Sequence, residues 1–283
     1  MIYYSLPDGL GDDTPVELSV YAADDEGAIW TWSRKPADVN ESASENGGSG
    51  AADTRVLAAE PGLNRHVWDL HYPGMERFDG LILWSDMKAG PRAVPGDYRA
   101  ELRVGDEVQE VGFSVVQDPR SSASVDDMAA QFAFVLETRD LLSRTHTEIG
   151  KIRTLRSKLD SLKERLVDAG DSVDQPSPLL AEILSIGETI TAVEETLYQT
   201  KNQSRQDPLN FPIRLNDKLA SLMRMVALGD QGPTTQAQAV KAELSNAIEA
   251  QLAILDTVWT EQIPGLNARI KSADIDMISM STD

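Results

Sequence analysis

The residues with the clearest chemical use are tryptophans in the first half of the chain. Trp30 and Trp32 are two positions apart, so a β-strand would place both rings on one face. Flat indole rings stack on sugar rings as well as on other side chains. The candidate ligand-contact residues are therefore Trp30, Trp32, Trp68 and Trp84. Packing in a sheet core and at an interdomain contact is the ordinary alternative, and we favour it.

The three histidines do not suggest a metal site. His66 and His71 are five positions apart, so one continuous strand would point them to opposite faces. His146 lies off the main apolar stripe of a long helix, which predicts a residue on the surface or on the flank of the stripe. The run 24–27 (Asp-Asp-Glu-Gly) lacks the spaced ligands of a calcium loop. We predict no metal site and no cofactor.

Catalytic motifs are also missing from the sequence. It contains no Gly-x-Ser-x-Gly, Ser-x-x-Lys or His-Glu-x-x-His motif. A pair of carboxylates could serve a glycosidase, but with 46 acidic residues some pair is always found. The glycine-rich residues 36–53 lack the Gly-Lys-Ser/Thr ending of a phosphate-binding loop and the helix that follows such a loop. Their composition therefore predicts a mobile loop. We predict no catalytic residue and a protein that is not an enzyme.

Composition excludes several partners. The 26 basic and 46 acidic residues give a formal charge of -20, which disfavours nucleic acid and anionic membranes. Cysteine is absent, so neither disulfides nor thiolate metal sites can form. No apolar run reaches the ~18–20 residues of a membrane span. The first eight residues lack the basic and apolar regions of a signal peptide.

Residues 1–120 have the pattern of a β domain. Short alternating runs occur at 16–21, 28–32, 63–70, 98–104 and 107–116. Gly105 and Asp106 between the last two runs predict a tight hairpin, because glycine tolerates a positive φ. This part of the chain predicts an antiparallel β-sandwich of the fibronectin III or immunoglobulin type.

Residues 121–283 have the pattern of a helical bundle. A capping signal at Ser124 starts an apolar stripe that runs to Gly170, about 45 residues. Further apolar stripes cover residues 183–197, 215–226 and 240–259, and capping residues or prolines separate them. The last helix is predicted to start at Thr235 and to end near Pro264. One stripe per helix predicts an antiparallel bundle of three or four rods. The whole chain is therefore expected to be a multidomain α+β protein.

Three segments resemble a known family. They are similar to the C-terminal region of bacterial sortilin-like β-propeller proteins. The segments are residues 62–74 (Gly-Leu-Asn-Arg-His-Val-Trp-Asp-Leu-His-Tyr-Pro-Gly), residues 95–102, and residues 206–219, the last of which contains Asp207-Pro208-Leu209-Asn210-Phe211-Pro212. These are often labelled BNR-repeat glycosyl hydrolases. The resemblance implies a fibronectin III-like sandwich and a helical region of an exported, periplasmic or extracellular, precursor. Any hydrolase activity would belong to the propeller, which this chain does not contain.

These observations predict a non-catalytic accessory or interaction module of an exported propeller protein, with a protein or polysaccharide as partner. One alternative is a carbohydrate-binding module, or part of a glycosyl hydrolase, that uses the tryptophans. The other is an oligomerisation module in which the long helix joins copies of the chain.

Overall fold

The computed structural model describes residues 1–11, 13–34 and 56–272. In these residues the chain is α+β, with two antiparallel sheets followed by helices. The mobile loop predicted at residues 36–53 lies outside the described residues. So does the chain after Ser272.

Within the described residues, six strands form the two sheets. β1 and β4 form one sheet, and the other has the order β3-β2-β5-β6. Their bounds are β1 Ile2–Leu6, β2 Val16–Ala22, β3 Trp30–Ser33, β4 Gly62–His66, β5 Gly96–Val104 and β6 Glu107–Val115. The predicted hairpin is confirmed, since Val104 pairs with Glu107 and Gly105 has a φ of 59°. β1 is a strand that the sequence did not reveal.

Both sheets bury side chains in one apolar cluster. Tyr4 and Leu6 from β1 join Leu18 and Val20 from β2, all 6% exposed or less. On β5 the alternation is as predicted, since Tyr98 and Ala100 are buried while Arg103 points to solvent. Alternate burial thus fixes the register of the central strands.

In the part of the chain that the structure describes, five α-helices follow the sheets. Their bounds are α1 Val125–Asp168, α2 Pro178–Leu197, α3 Leu215–Val226, α4 Thr235–Thr257 and α5 Ile263–Ser272. Ser124 and Asp127 exchange hydrogen bonds in the predicted capping box of α1. The cap of α4 is Thr234, one residue before the predicted position, and its hydroxyl accepts from the Ala237 amide.

The last helix does not end near Pro264, as the sequence had predicted. A π turn, Val258–Gln262, joins α4 to α5 without a break. Proline has no amide hydrogen, and its ring clashes with the carbonyl group four residues earlier. Because Pro264 is the second residue of α5, directly after the wider π turn, the chain can stay helical to Ser272.

The chain forms two compact units that do not divide at the predicted boundary near residue 120. One unit contains Met1–Gly74, Ala89–Phe132 and Asp230–Gly232. The other contains Met75–Lys88, Ala133–Gly229 and Pro233–Asp283. The change from strands to helices does occur near residue 120, but residues 75–88 belong with the helices. We call residues 75–88 the strap.

Candidate binding site

Three of the four candidate tryptophans pack inside the sheet unit. The Trp30 and Trp32 rings stack with their centroids 5.9 Å apart, as a shared strand face predicts. The Trp32 centroid also lies 4.2 Å from that of His66, and the Trp68 centroid lies 5.6 Å from that of Tyr98. Because Trp32 and Trp68 are 7% and 6% exposed, their rings belong to the core.

The indole nitrogens of two tryptophans hold the chain after β4. Trp30 Nε1 and Trp68 Nε1 both donate to the carbonyl oxygen of His71, at 2.7 and 3.0 Å. The backbone bends just before, at Leu70, whose φ of 66° is unusual for a side chain of this size. These two bonds therefore fix an irregular turn. Burial lowers the pKa of His66, which packs on Trp32 and is not a ligand of a metal cluster in the described chain.

Trp84 is different from the other three. It lies on the strap, in the helical unit, and its side chain is 49% exposed. The four tryptophans therefore do not make one contact surface within a single unit. Of the four, Trp84 is the most exposed.

Polar side chains from the helices hold the main chain of the strap. His146 Nδ1 donates to the Glu76 carbonyl at 2.7 Å, and Arg153 Nη1 donates to the Asp79 carbonyl at 2.8 Å. The Tyr198 hydroxyl donates to the Gly80 carbonyl at 3.1 Å and accepts from the Ile82 amide at 3.2 Å. These side chains satisfy main-chain groups that have no strand or helix of their own to pair with.

Apolar side chains anchor the strap as well. Met75 and Leu83 are 6% and 5% exposed and join the core of the helices. Phe78 lies edge-on to the His146 and Tyr198 rings, with centroids 5.4 and 5.1 Å away. Met75, Phe78 and Leu83 therefore anchor the strap to the helical core.

A buried carboxylate organises the side chains next to Phe78. Glu194 is 2% exposed, and it accepts from Arg153 Nε at 2.9 Å and from Arg156 Nη2 at 2.6 Å. Two guanidinium groups compensate for the cost of burying this charge. Arg153 also lies over the Phe78 ring, 4.5 Å from its centroid. Glu194 thus positions the arginine that binds the strap.

The prediction that His146 lies on the surface or on the flank of the helix is wrong. The side chain is 1% exposed, because the strap covers it. Burial lowers its pKa to about 4, so the ring is neutral at pH 7. Its Nε2 then accepts from Asn216 Nδ2 at 3.2 Å. The sequence signal was its position, four residues after buried Leu142 and three before buried Ile149.

Asp217 binds the part of the strap that carries Trp84. Its carboxylate accepts from the Trp84 amide at 2.8 Å and from the Ser85 amide at 3.4 Å. Burial raises the pKa of this carboxyl group, and the two amide bonds oppose that effect. Nearby Asp86 pairs with Arg77 at 2.7 Å. The main chain on either side of Trp84 is therefore fixed.

The buried polar groups of this site have a positioning role. His146, Tyr198 and Asp217 each make a hydrogen bond to the strap, and Glu194 binds the arginines beside it. No group of three His, Asp or Glu residues suited to a metal ion occurs in residues 1–11, 13–34 and 56–272. The feature available to a ligand is therefore the exposed side chain of Trp84, whose main chain is held by hydrogen bonds to Asp217.

Comparisons with family models, with curated proteins and with solved structures found no match for this chain. Among the described helices, none has the length and apolar character needed to cross a membrane.

Proposed function

We propose that the chain is a non-catalytic interaction module that contacts a protein partner through Trp84 on the strap. The observation that carries the proposal is a large aromatic side chain, 49% exposed, whose amide nitrogen is bonded to a buried carboxylate. Tryptophan is enriched among residues that dominate binding energy, and a preordered contact loses little entropy on binding.

A photo-crosslinking amino acid at position 84 tests this proposal in the source cells. We expect one dominant adduct at position 84, with a partner that binds the purified chain and loses at least about tenfold in affinity with Trp84→Ala. The matched control position is Leu209, which is 68% exposed in the same unit. Equal adducts at both positions would contradict the proposal, and so would glycosidase turnover by the purified chain.

Carbohydrate binding is the second candidate, because an exposed indole ring can stack on a sugar ring. Titration of neutral and acidic polysaccharides, followed by tryptophan fluorescence, tests it. The expected result is a spectral change in the wild-type chain that Trp84→Phe removes. If no polysaccharide in a broad panel changes the fluorescence, this candidate is rejected.

We also propose that the module belongs to an exported β-propeller protein, as residues 62–74, 95–102 and 206–219 suggest. The apolar cluster shared by the two sheets supports a fibronectin III-like sandwich. A signal peptide and a propeller encoded upstream of Met1 are the expected finding. An upstream region without either would contradict this part of the proposal.

For the helices we propose an antiparallel arrangement of three rods, in which α2 and α3 follow each other along α1. Glu194 of α2 forms an ion pair with Arg153 of α1. Asn216 of α3 forms a hydrogen bond with His146, which lies nearer the start of α1. The rod of α4 and α5 runs in the direction of α1, since Lys241 pairs with Glu137 and Trp259 bonds to Glu148.

A further inference from the structure

An open groove lies between the C-terminal half of α1 and α2. Its volume is about 450 Å³. Leu159 and Ile183 form an apolar floor, and they are 5% and 2% exposed. Gly187 is part of the α2 wall, and a Cβ atom added there would meet no atom within 4 Å. The backbone of α2 is therefore accessible to another helix at this point. None of these residues belongs to the strap.

The two helices that form the groove carry opposite charge. Residues 151–166 of α1 contain six basic and two acidic side chains, whereas α2 contains four glutamates and neither lysine nor arginine. The charged lining of the groove consists of Arg156, Asp160 and Lys163 on the α1 side and of Glu188 and Glu195 on the α2 side. Lys163 also lies 3.5 Å from Asp160 of its own helix. In the part of the chain that the structure describes, neither glutamate lies within ion-pair distance of a basic group.

We propose that this groove binds the same groove of a second copy of the chain. A two-fold axis places α1 of each copy against α2 of the other. The basic helix then faces the glutamates of its partner, and the apolar floors are covered on both sides. Like-charged helices would meet only if the copies packed in another way. This charge complementarity selects a second copy over an unrelated helix.

The overall charge of -20 does not prevent this pairing. At physiological salt the Debye length is about 8 Å, so distant charges of two copies are largely screened. Side chains in direct contact across the groove are screened much less. Association should therefore strengthen as moderate salt screens the net charge, and apolar burial should maintain it.

Sedimentation velocity of the full chain, from low to high micromolar concentration, tests the proposal. We expect the particle mass to rise from 30.9 kDa to twice that value. Gly187→Leu fills the groove with a better helix former, so it should weaken association at least about tenfold without lowering the melting temperature. Gly150→Leu is the matched control, because Gly150 is also a helical glycine with open space but lies outside the groove.

Charge variants test the proposed orientation. Lys163→Glu and Glu188→Lys should each weaken association, and the two together in one chain should restore it. A particle of 30.9 kDa at every concentration would overturn the proposal. So would a dimer that Gly187→Leu leaves as stable as the wild type, because the contact would then lie elsewhere.

Discussion

His146 makes the stability of the protein depend on pH in a defined direction. Its pKa is lowered from 6.5 to about 4 by burial. As the pH falls, this side chain therefore binds a proton at a higher pH in the unfolded chain than in the folded chain. Stability from the neutral ring is fully present above pH 6.5 and is lost as the pH falls toward 4.

We expect this loss to be about 3 kcal/mol in the free energy of unfolding. Urea unfolding of the wild type and of His146→Gln, measured between pH 7.5 and 4, isolates the contribution as the difference between the two curves. Burial raises the pKa of Asp217, which acts in the opposite direction, but Asp217 is present in both proteins. Parallel curves across this pH range would show that His146 is not the source.

Leu83 is the residue whose loss should release the strap. It is 5% exposed in the helical core, so Leu83→Ala should lower the free energy of unfolding by about 2–4 kcal/mol. Hydrogen exchange should show faster exchange of the Trp84 and Ile82 amides, which are bonded to Asp217 and Tyr198. Leu209→Ala is the control, since Leu209 is 68% exposed. Unchanged exchange in Leu83→Ala would mean that the strap is held elsewhere.

At the level of elements, the sequence predicts regular structure well and irregular structure poorly. α1 could be predicted because its apolar residues recur every seven positions and its cap is local. β5 and β6 could be predicted because Gly105 marks the turn between two alternating runs. In each case the signal and the element lie in the same stretch of chain.

The strap has no such signal. Its hydrogen-bond partners include His146, Arg153, Tyr198 and Asp217, up to 133 residues away in sequence. No periodicity can reveal contacts of this kind, so Trp84 was predicted as one of four similar tryptophans. The distinction between three rings packed in the sheet unit and one exposed ring depends on tertiary packing, which the sequence pattern does not contain.

For the whole molecule, the strap means that the helices are incomplete without a segment from the first half of the chain. A protein of residues 121–283 lacks Met75 and Leu83, both buried in the helical core. We expect this shorter protein to unfold at a lower urea concentration. Its free energy of unfolding should be more than about 4 kcal/mol below that of the helical unit in the full chain.

A synthetic peptide of residues 75–88 should restore part of this stability. The measurement is urea unfolding, followed by circular dichroism, with the peptide in excess and with a scrambled peptide as control. Binding only to the folded helices would raise the urea midpoint with the logarithm of the peptide concentration once the peptide is in excess. Equal stability of residues 121–283 with and without the peptide would contradict the role given to the strap.

The position of the strap also affects how the protein is made. On a ribosome, residues 75–88 emerge before any of the helices to which they bind. Asp217, the hydrogen-bond partner of the Trp84 amide, is synthesised 133 residues after Trp84. At about 5–20 residues per second, this delay is on the order of ten seconds. Until α1 (Val125–Asp168) has emerged, Met75, Phe78 and Leu83 have no helix to cover them. Nascent chains at this stage should be clients of chaperones that recognise short apolar segments.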